Sequence, residues 1–382
     1  MPGSRAAESV SVRRVVVVGG STAGSTAMRE LRRRGFDGEL VLVDPARGTN
    51  RPPLSKAVLA ADMPDESVLI DHSSIDAQHV LAAAVGLDTC ARVLTTADGA
   101  EHPYDALVIA SGSTARRIAA AGQRGELVLR TLDDARTLRH RLTSSSSVVV
   151  VGGGFLGMEV ATAAATAGAT VTVVDVEPPL RRVLGAHLAA DLLARAEATG
   201  VRFVQSTAVL VGEPVTGVEL ADGSTLTADA VVSCVGDIPA TAWLDGTGLP
   251  TAHGIEIDMS ARTSVADVYA IGDVAAVRSG HDVRRAPYWA NAVTQARVAA
   301  AAILGQDVED PIVDHYFWTE IAGVSVKAVG PLPVAGVPTT FEDAGDGHGI
   351  LTWDGPTVVA YGVRRSVPKL RATARGLTEA SV

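Results

Sequence analysis

Two stretches of the chain share one order of apolar and polar positions. An unbroken run of β-branched residues is followed by a glycine cluster and then by an Ala-rich helical stretch. The first is Arg14–Leu31 (RVVVVGGSTAGSTAMREL) and the second is Ser147–Gly168 (SVVVVGGGFLGMEVATAAATAG). Runs without polar alternation fit strands buried on both faces, as in a parallel sheet. Each unit leads to a further strand-like run ending in an acid, ELVLVD up to Asp44 and ATVTVVD up to Asp175. YDALVIA (Tyr104–Ala110) and ADAVVSCV (Ala228–Val235) read as closing strands of the two units. The serines Ser144–Ser147 before the second unit read as a linker at a domain boundary. After VYAIGDVAAV comes a helical stretch around Asn291–Leu304, and from about Val313 short alternating apolar segments are broken by Gly and Pro. The pattern predicts α/β architecture, with two Rossmann-like dinucleotide-binding domains and a small C-terminal α+β domain.

Composition narrows the classes. A length of 382 residues predicts two or three domains, and 47% apolar with 20% charged residues supplies material for buried cores. The net charge of −10 argues against nucleic-acid binding, which needs a basic footprint. The stretches Thr143–Met158 and Val160–Val174 are too short and too interrupted to span a membrane, and the polar N-terminus MPGSRAAESVSVRR lacks a signal-peptide core. A cytoplasmic location is expected. Cys90 and Cys234 stand far apart with no C-x-x-C arrangement, so no zinc site or local disulfide is indicated and each reads as a buried small hydrophobe.

Gly152, Gly154 and Gly157 form a complete G-x-G-x-x-G between a strand and a helix. Its logic is a tight turn, close backbone approach to a diphosphate at a helix N-terminus, and close helix–strand packing. Asp175, 18 residues after Gly157, is placed to accept a ribose hydroxyl and to repel a 2′-phosphate, which favours NADH over NADPH. The first cluster keeps Gly19 and Gly24 but has Ser21 at the second glycine position, with Asp44 twenty residues beyond Gly24. The Ser21 hydroxyl could itself donate to a phosphate. Two dinucleotide sites in one chain point to hydride transfer from a nicotinamide to a flavin.

These residues carry a resemblance covering nearly the whole chain. It resembles the FAD-dependent pyridine nucleotide reductases, and most closely the ferredoxin reductase branch that includes putidaredoxin reductase and the reductases of aromatic-ring dioxygenases. Arg51-Pro52-Pro53-Leu54-Ser55-Lys56 matches the family's flavin loop, and Ala110-Ser111-Gly112 resembles its A-T-G. Asp267–Ala275 (DVYAIGDVA) matches the segment whose Asp, here Asp273 after Gly272, holds the ribityl chain. Trp289, followed by Ala290, and Trp318 match tryptophans near the flavin. The resemblance implies FAD on the first unit, with Ala23 in its loop and Arg130 contacting FAD. It implies NADH on the second, with Leu156 in the loop, Arg182 near the phosphates or adenosine, and Gly236 beside the nicotinamide. It pairs Lys56 with Glu159 near the flavin N5, where a positive charge would face the negative charge that accumulates on reduction. Lys56 stands out because the 33 Lys and Arg residues include only three lysines. With no Cys pair near Lys56, electrons should leave the flavin directly, unlike in the glutathione and lipoamide reductase branches.

The chain departs from the family near the flavin. Pro287 stands where relatives carry Glu, and Trp318-Thr319-Glu320-Ile321 stands where they show W-S-D-Q. The expected organisation is an FAD domain from 1–118 and 244–312, an NAD(H) domain from 119–243, and a C-terminal domain from 313–382. As an enzyme, the chain would pass electrons from NADH through FAD to a ferredoxin-type [2Fe–2S] protein serving a cytochrome P450 or an oxygenase. It would act as a monomer or homodimer. Five basic residues and no acid between Arg364 and Arg375 could steer an acidic ferredoxin. The alternatives are an FAD oxidoreductase acting on a small-molecule acceptor or O2, and a nucleotide-holding sensor without useful turnover.

Overall fold

The computed structural model describes residues 12–60, 63–249, 251–307 and 311–380. The polar N-terminal segment read as lacking a signal-peptide core therefore lies mostly outside the described residues. The chain divides into two compact units.

The first unit comprises the described residues of Met1–Thr49, Ile70–Ser113 and Pro239–Asp314. At its centre is a five-stranded parallel sheet in the order Val268–Ala270, Ala106–Ile109, Arg14–Val18, Glu39–Val43, Gln78–Val80. The central valines Val15, Val16 and Val17 are fully buried, as strands covered on both faces require. Helices Thr22–Arg33 and Trp289–Ile303 pack on each other, closely enough to need alanines such as Ala27, Ala296 and Ala300.

The second unit comprises Asn50–Leu69, Thr114–Ile238 and the described residues of His315–Val382. Its parallel sheet runs Arg202–Gln205, Thr170–Asp175, Ser147–Val151, Ala230–Ser233. Within the same unit a five-stranded antiparallel sheet, from Tyr316–Ile321 to Thr340–Gly345, carries the helix Val367–Ala380, whose Leu370 and Ala374 are buried. Leu54 and Val58 of the flavin-loop segment share a core with Met158, Val160, Ile321 and Val326. That shared core brings the motif and the second glycine loop together. The fold is mixed α/β with two Rossmann-like sheets and an additional antiparallel domain.

Two expectations are corrected. Ser144–Ser147 is no domain linker: Ser144 ends the helix Leu132–Ser144 and Ser147 opens a strand inside the second unit. The turn is pinned by Asp229, whose carboxylate accepts from the Ser146 and Ser147 N–H groups at 2.8 and 3.0 Å. Cys90 is exposed rather than interior, because it lies in a turn where the Asp88 carboxylate accepts from its N–H at 2.9 Å. Cys234 is half-buried. No helix among the described residues is long and apolar enough to cross a membrane.

Candidate active site

In the first unit the strand Arg14–Val18 turns into the helix Thr22–Arg33 through Gly19, Gly20 and Ser21. Gly19 has φ +97°, and a Cβ there would lie 2.4 Å from the Ala110 carbonyl oxygen, so only glycine fits. A Cβ on Gly24 would lie 1.9 Å from the Gly19 oxygen. Ser21 is the N-cap of the helix but makes no side-chain cap bond, which leaves the helix N-terminus open to an anion. Its hydroxyl accepts from Thr49 N at 3.3 Å and keeps its own proton to donate. Asp44 braces the loop, accepting from Gly20 N at 2.6 Å and Ala46 N at 2.9 Å. A Cβ on Gly272 (φ +74°) would lie 2.9 Å from Ala23 Cβ, so the GD segment abuts the loop helix. The Gly272 N–H donates to buried Gln295 at 2.8 Å. Ser111 donates to Ala240 O at 3.0 Å while Gly112 O accepts from Ala240 N at 2.9 Å. Asp273 is half-buried, Ala290 is buried, and Trp289 stands 49% exposed at the head of its helix. Arg51, Lys56 and Arg130 belong to the second unit. Pro287 is exposed in the turn before that helix.

The second glycine loop repeats the geometry. A Cβ on Gly152 (φ +102°) would lie 2.3 Å from Cys234 O, and one on Gly157 would lie 1.9 Å from Gly152 O. At Gly154, the N-cap of the helix Phe155–Thr166, a Cβ would meet no protein atom within 4 Å. The protein's own packing thus demands glycine at Gly152 and Gly157 but not at Gly154, whose open side suits a diphosphate; Leu156 is half-buried in the first helical turn. Asp175 accepts from Gly153 N at 2.6 Å. Arg182 donates to both Asp175 oxygens, at 3.0 and 3.1 Å, and pairs through Nε with Glu177 at 2.6 Å. The acid at the strand end is therefore shared between the loop and Arg182. Gly236 is exposed with φ +97°, and Arg130 is half-buried before the capping box of the helix Leu132–Ser144.

Beside this loop lies a buried ion pair. Lys56 Nζ is 2.8 Å from Glu159 Oε1, and the two side chains are 11% and 6% exposed. The Ser55 hydroxyl donates to Glu159 Oε2, and Thr319 Oγ1 donates to Oε1 at 2.6 Å. Lys56 Nζ also sits 4.5 Å from the centre of the Trp318 ring, a cation–π contact. A buried charge pair is tolerated only when its remaining hydrogen-bonding capacity is satisfied. Burial and, secondarily, the Glu159 charge push the Cys234 thiol up to about 12. The sequence marked Lys56, Glu159 and Trp318; it missed Ser55 and Thr319, although Ser55 is inside the flavin-loop motif. It also missed Gln295, Ser25 and His72; Ser25 lies inside the first glycine-loop stretch and Gln295 inside the Asn291–Leu304 helical stretch, but neither stands at a fingerprint position. Ile321 is wholly buried in the second unit's core, so this departure from the expected motif packs inward.

A family model described as pyridine nucleotide-disulphide oxidoreductase matches residues 13–299. The biphenyl dioxygenase system ferredoxin–NAD(+) reductase component of Paraburkholderia xenovorans (strain LB400) is 35% identical over 353 residues, covering 88% of this chain and 86% of that protein. The rubredoxin-NAD(+) reductase of Pseudomonas putida is 33% identical over 335 residues, covering 83% of this chain and 86% of that protein. The crystal structure of the covalent putidaredoxin reductase–putidaredoxin complex matches with a TM-score of 0.84 at 26% identity, covering 96% of this chain and 93% of that one. Glycine loops, flavin-loop motif and relatives agree: the chain belongs to the pyridine nucleotide-disulphide oxidoreductase family, in its ferredoxin reductase branch.

Proposed function

We propose that the protein is an NADH-dependent flavoprotein reductase that passes electrons through FAD to a ferredoxin-type iron–sulfur protein serving a cytochrome P450 or an oxygenase. The observation that carries this reading is the Lys56–Glu159 pair, buried beside the second dinucleotide loop and reached from the flavin-loop motif. FAD, when bound, accepts a hydride equivalent and returns electrons one at a time. Gly19, Ser21, Ala23, Gly24, Asp44, Ala110, Ser111, Gly112, Gly272 and Asp273 would hold it, with Arg51, Arg130, Trp289 and Ala290 as further contacts. Gly152, Gly154, Leu156, Gly157, Asp175, Arg182 and Gly236 would bind NADH. Glu159 orients the Lys56 ammonium, and Ser55 and Thr319 fix the Glu159 carboxylate, so the positive charge is in place before chemistry begins. Trp318 covers the ammonium from its ring face.

The reading assigns FAD to 1–118 and 244–312, NADH to 119–243, and the acceptor-side domain to 313–382. A cytoplasmic location follows from the reaction's dependence on the intracellular NADH pool.

Anaerobic stopped-flow reduction of the flavoprotein by NADH and by NADPH, followed by mixing with a [2Fe–2S] ferredoxin and cytochrome c, tests this. Fast reduction by NADH with ferredoxin-dependent cytochrome c reduction is the expected result. A flavin that is reduced but gives no electrons to ferredoxin would overturn the partner and point to a small-molecule acceptor or O2.

A further inference from the structure

The carbonyl of Gly20, in the middle of the first glycine loop, is gripped by two side chains that no motif in the sequence singles out. Ser25 Oγ, 1% exposed as a residue, donates to Gly20 O at 2.6 Å. His72 Nε2 lies 2.9 Å from the same oxygen and 2.7 Å from Ser25 Oγ. A carbonyl oxygen only accepts, so Nε2 carries the hydrogen and the ring is held in one tautomer. Burial pulls the His72 pKa below its ordinary value, which keeps the imidazole neutral. The ring also lies against Gly20 itself, since a Cβ there would be 3.1 Å from His72 Cε1.

The grip has a geometric consequence. A trans peptide is planar, and its C=O and N–H point in opposite directions. Fixing the Gly20 oxygen therefore fixes the direction of the Ser21 N–H, at the N-cap of the loop helix. On the other side of Gly20, its own N–H is held by Asp44 at 2.6 Å. Both peptide planes flanking the most flexible residue type are thus set by side chains rather than by a nucleotide. Ser21 stands at the second glycine position of the G-x-G-x-x-G pattern, so the backbone here must approach a diphosphate past a side chain, and a preset N–H direction matters more.

We propose that His72, acting with Ser25 through the Gly20 carbonyl, is a positioning residue for FAD, presetting the Ser21 N–H toward the diphosphate. This rests on the reading that FAD occupies the first unit. Pre-ordering the loop raises affinity because ordering is not charged against binding.

The test is FAD titration of apoprotein, followed by flavin fluorescence, with thermal melting of each apoprotein and NADH affinity of each reconstituted enzyme as second readouts. His72→Ala is expected to raise the FAD Kd about tenfold, and Ser25→Ala about threefold, with apoprotein melting and NADH affinity unchanged. His72→Gln, which returns an N–H donor at similar reach, should restore most of the affinity. A His72→Ala Kd within about twofold of wild type would overturn the proposal, as would a loss that tracks a fall in apoprotein melting or that His72→Gln does not repair. Wild-type apoprotein that takes up no FAD would instead sink the underlying reading.

Discussion

Lys56 is one of only three lysines in the chain, and its ammonium touches a carboxylate, a backbone carbonyl and an indole ring. An arginine could not replace it, because a planar guanidinium does not fit a compact site built for a point charge. Lys56→Ala should slow anaerobic flavin reduction by NADH by about 10²-fold, the usual cost of deleting one preorganised electrostatic contact. Stopped-flow absorbance reads this directly, and a wild-type rate would remove Lys56 from the mechanism. Thr319→Val leaves one buried Glu159 oxygen without its hydroxyl donor and should destabilise the protein by about 1–3 kcal/mol in denaturant titration. The two thiols should separate as sharply. With its pKa at about 12, Cys234 holds about 10⁻⁴ of its population as thiolate at pH 8, whereas Cys90 stands exposed in its turn. A disulfide-exchange reagent should take one equivalent quickly and the second far more slowly, and both quickly once the protein is unfolded. Because the folded pKa lies above the ordinary 9.0, the stability from the neutral thiol is intact below that pH and drains away as pH rises toward 12.

At the scale of elements, the two strand–loop–helix units separate glycines needed by the fold from those needed by a ligand. Gly157→Ala drives a methyl to 1.9 Å from the Gly152 carbonyl, a backbone atom that cannot step aside, so melting temperature should fall. Gly154→Ala meets nothing and sits at φ −73°, so melting should hold while NADH affinity drops about tenfold, roughly 1.4 kcal/mol. Equal melting and equal NADH affinity in Gly154→Ala would deny that loop its ligand. The same contrast explains what the sequence disclosed. The valine runs, both fingerprints and the Lys56–Glu159 pairing were legible because they depend on local spacing or on motif resemblance. Thr319, His72 and Gln295 were not, because each acts on a backbone or carboxylate group distant in sequence and carries no periodic signature. Asp175 was legible as a strand-end acid, but its sharing with Arg182 and Glu177 depends on a turn whose path no spacing rule predicts.

The whole molecule carries a net charge of −10, so an acidic iron–sulfur partner is repelled by most of its surface. The stretch from Arg364 to Arg375 departs from that balance, with Arg364, Arg365, Lys369, Arg371 and Arg375 and no acid. The helix Val367–Ala380 turns Leu370 and Ala374 into its sheet and leaves Lys369 and Arg375 exposed, while Arg365 is drawn toward Glu342 at 3.5 Å. Steering by such charges acts over a Debye length of about 10 Å near 0.1 M salt and weakens as salt rises. Ferredoxin-dependent cytochrome c reduction should therefore lose about tenfold in kcat/KM for ferredoxin between about 0.02 M and about 0.2 M salt, while reduction of the flavin by NADH barely changes. Reversing Lys369 and Arg375 to Glu should reproduce the high-salt rate at low salt and abolish the salt dependence. A rate indifferent to ionic strength would mean that the partner docks through apolar contact alone, and that the basic helix face serves only to keep the C-terminal domain solvated.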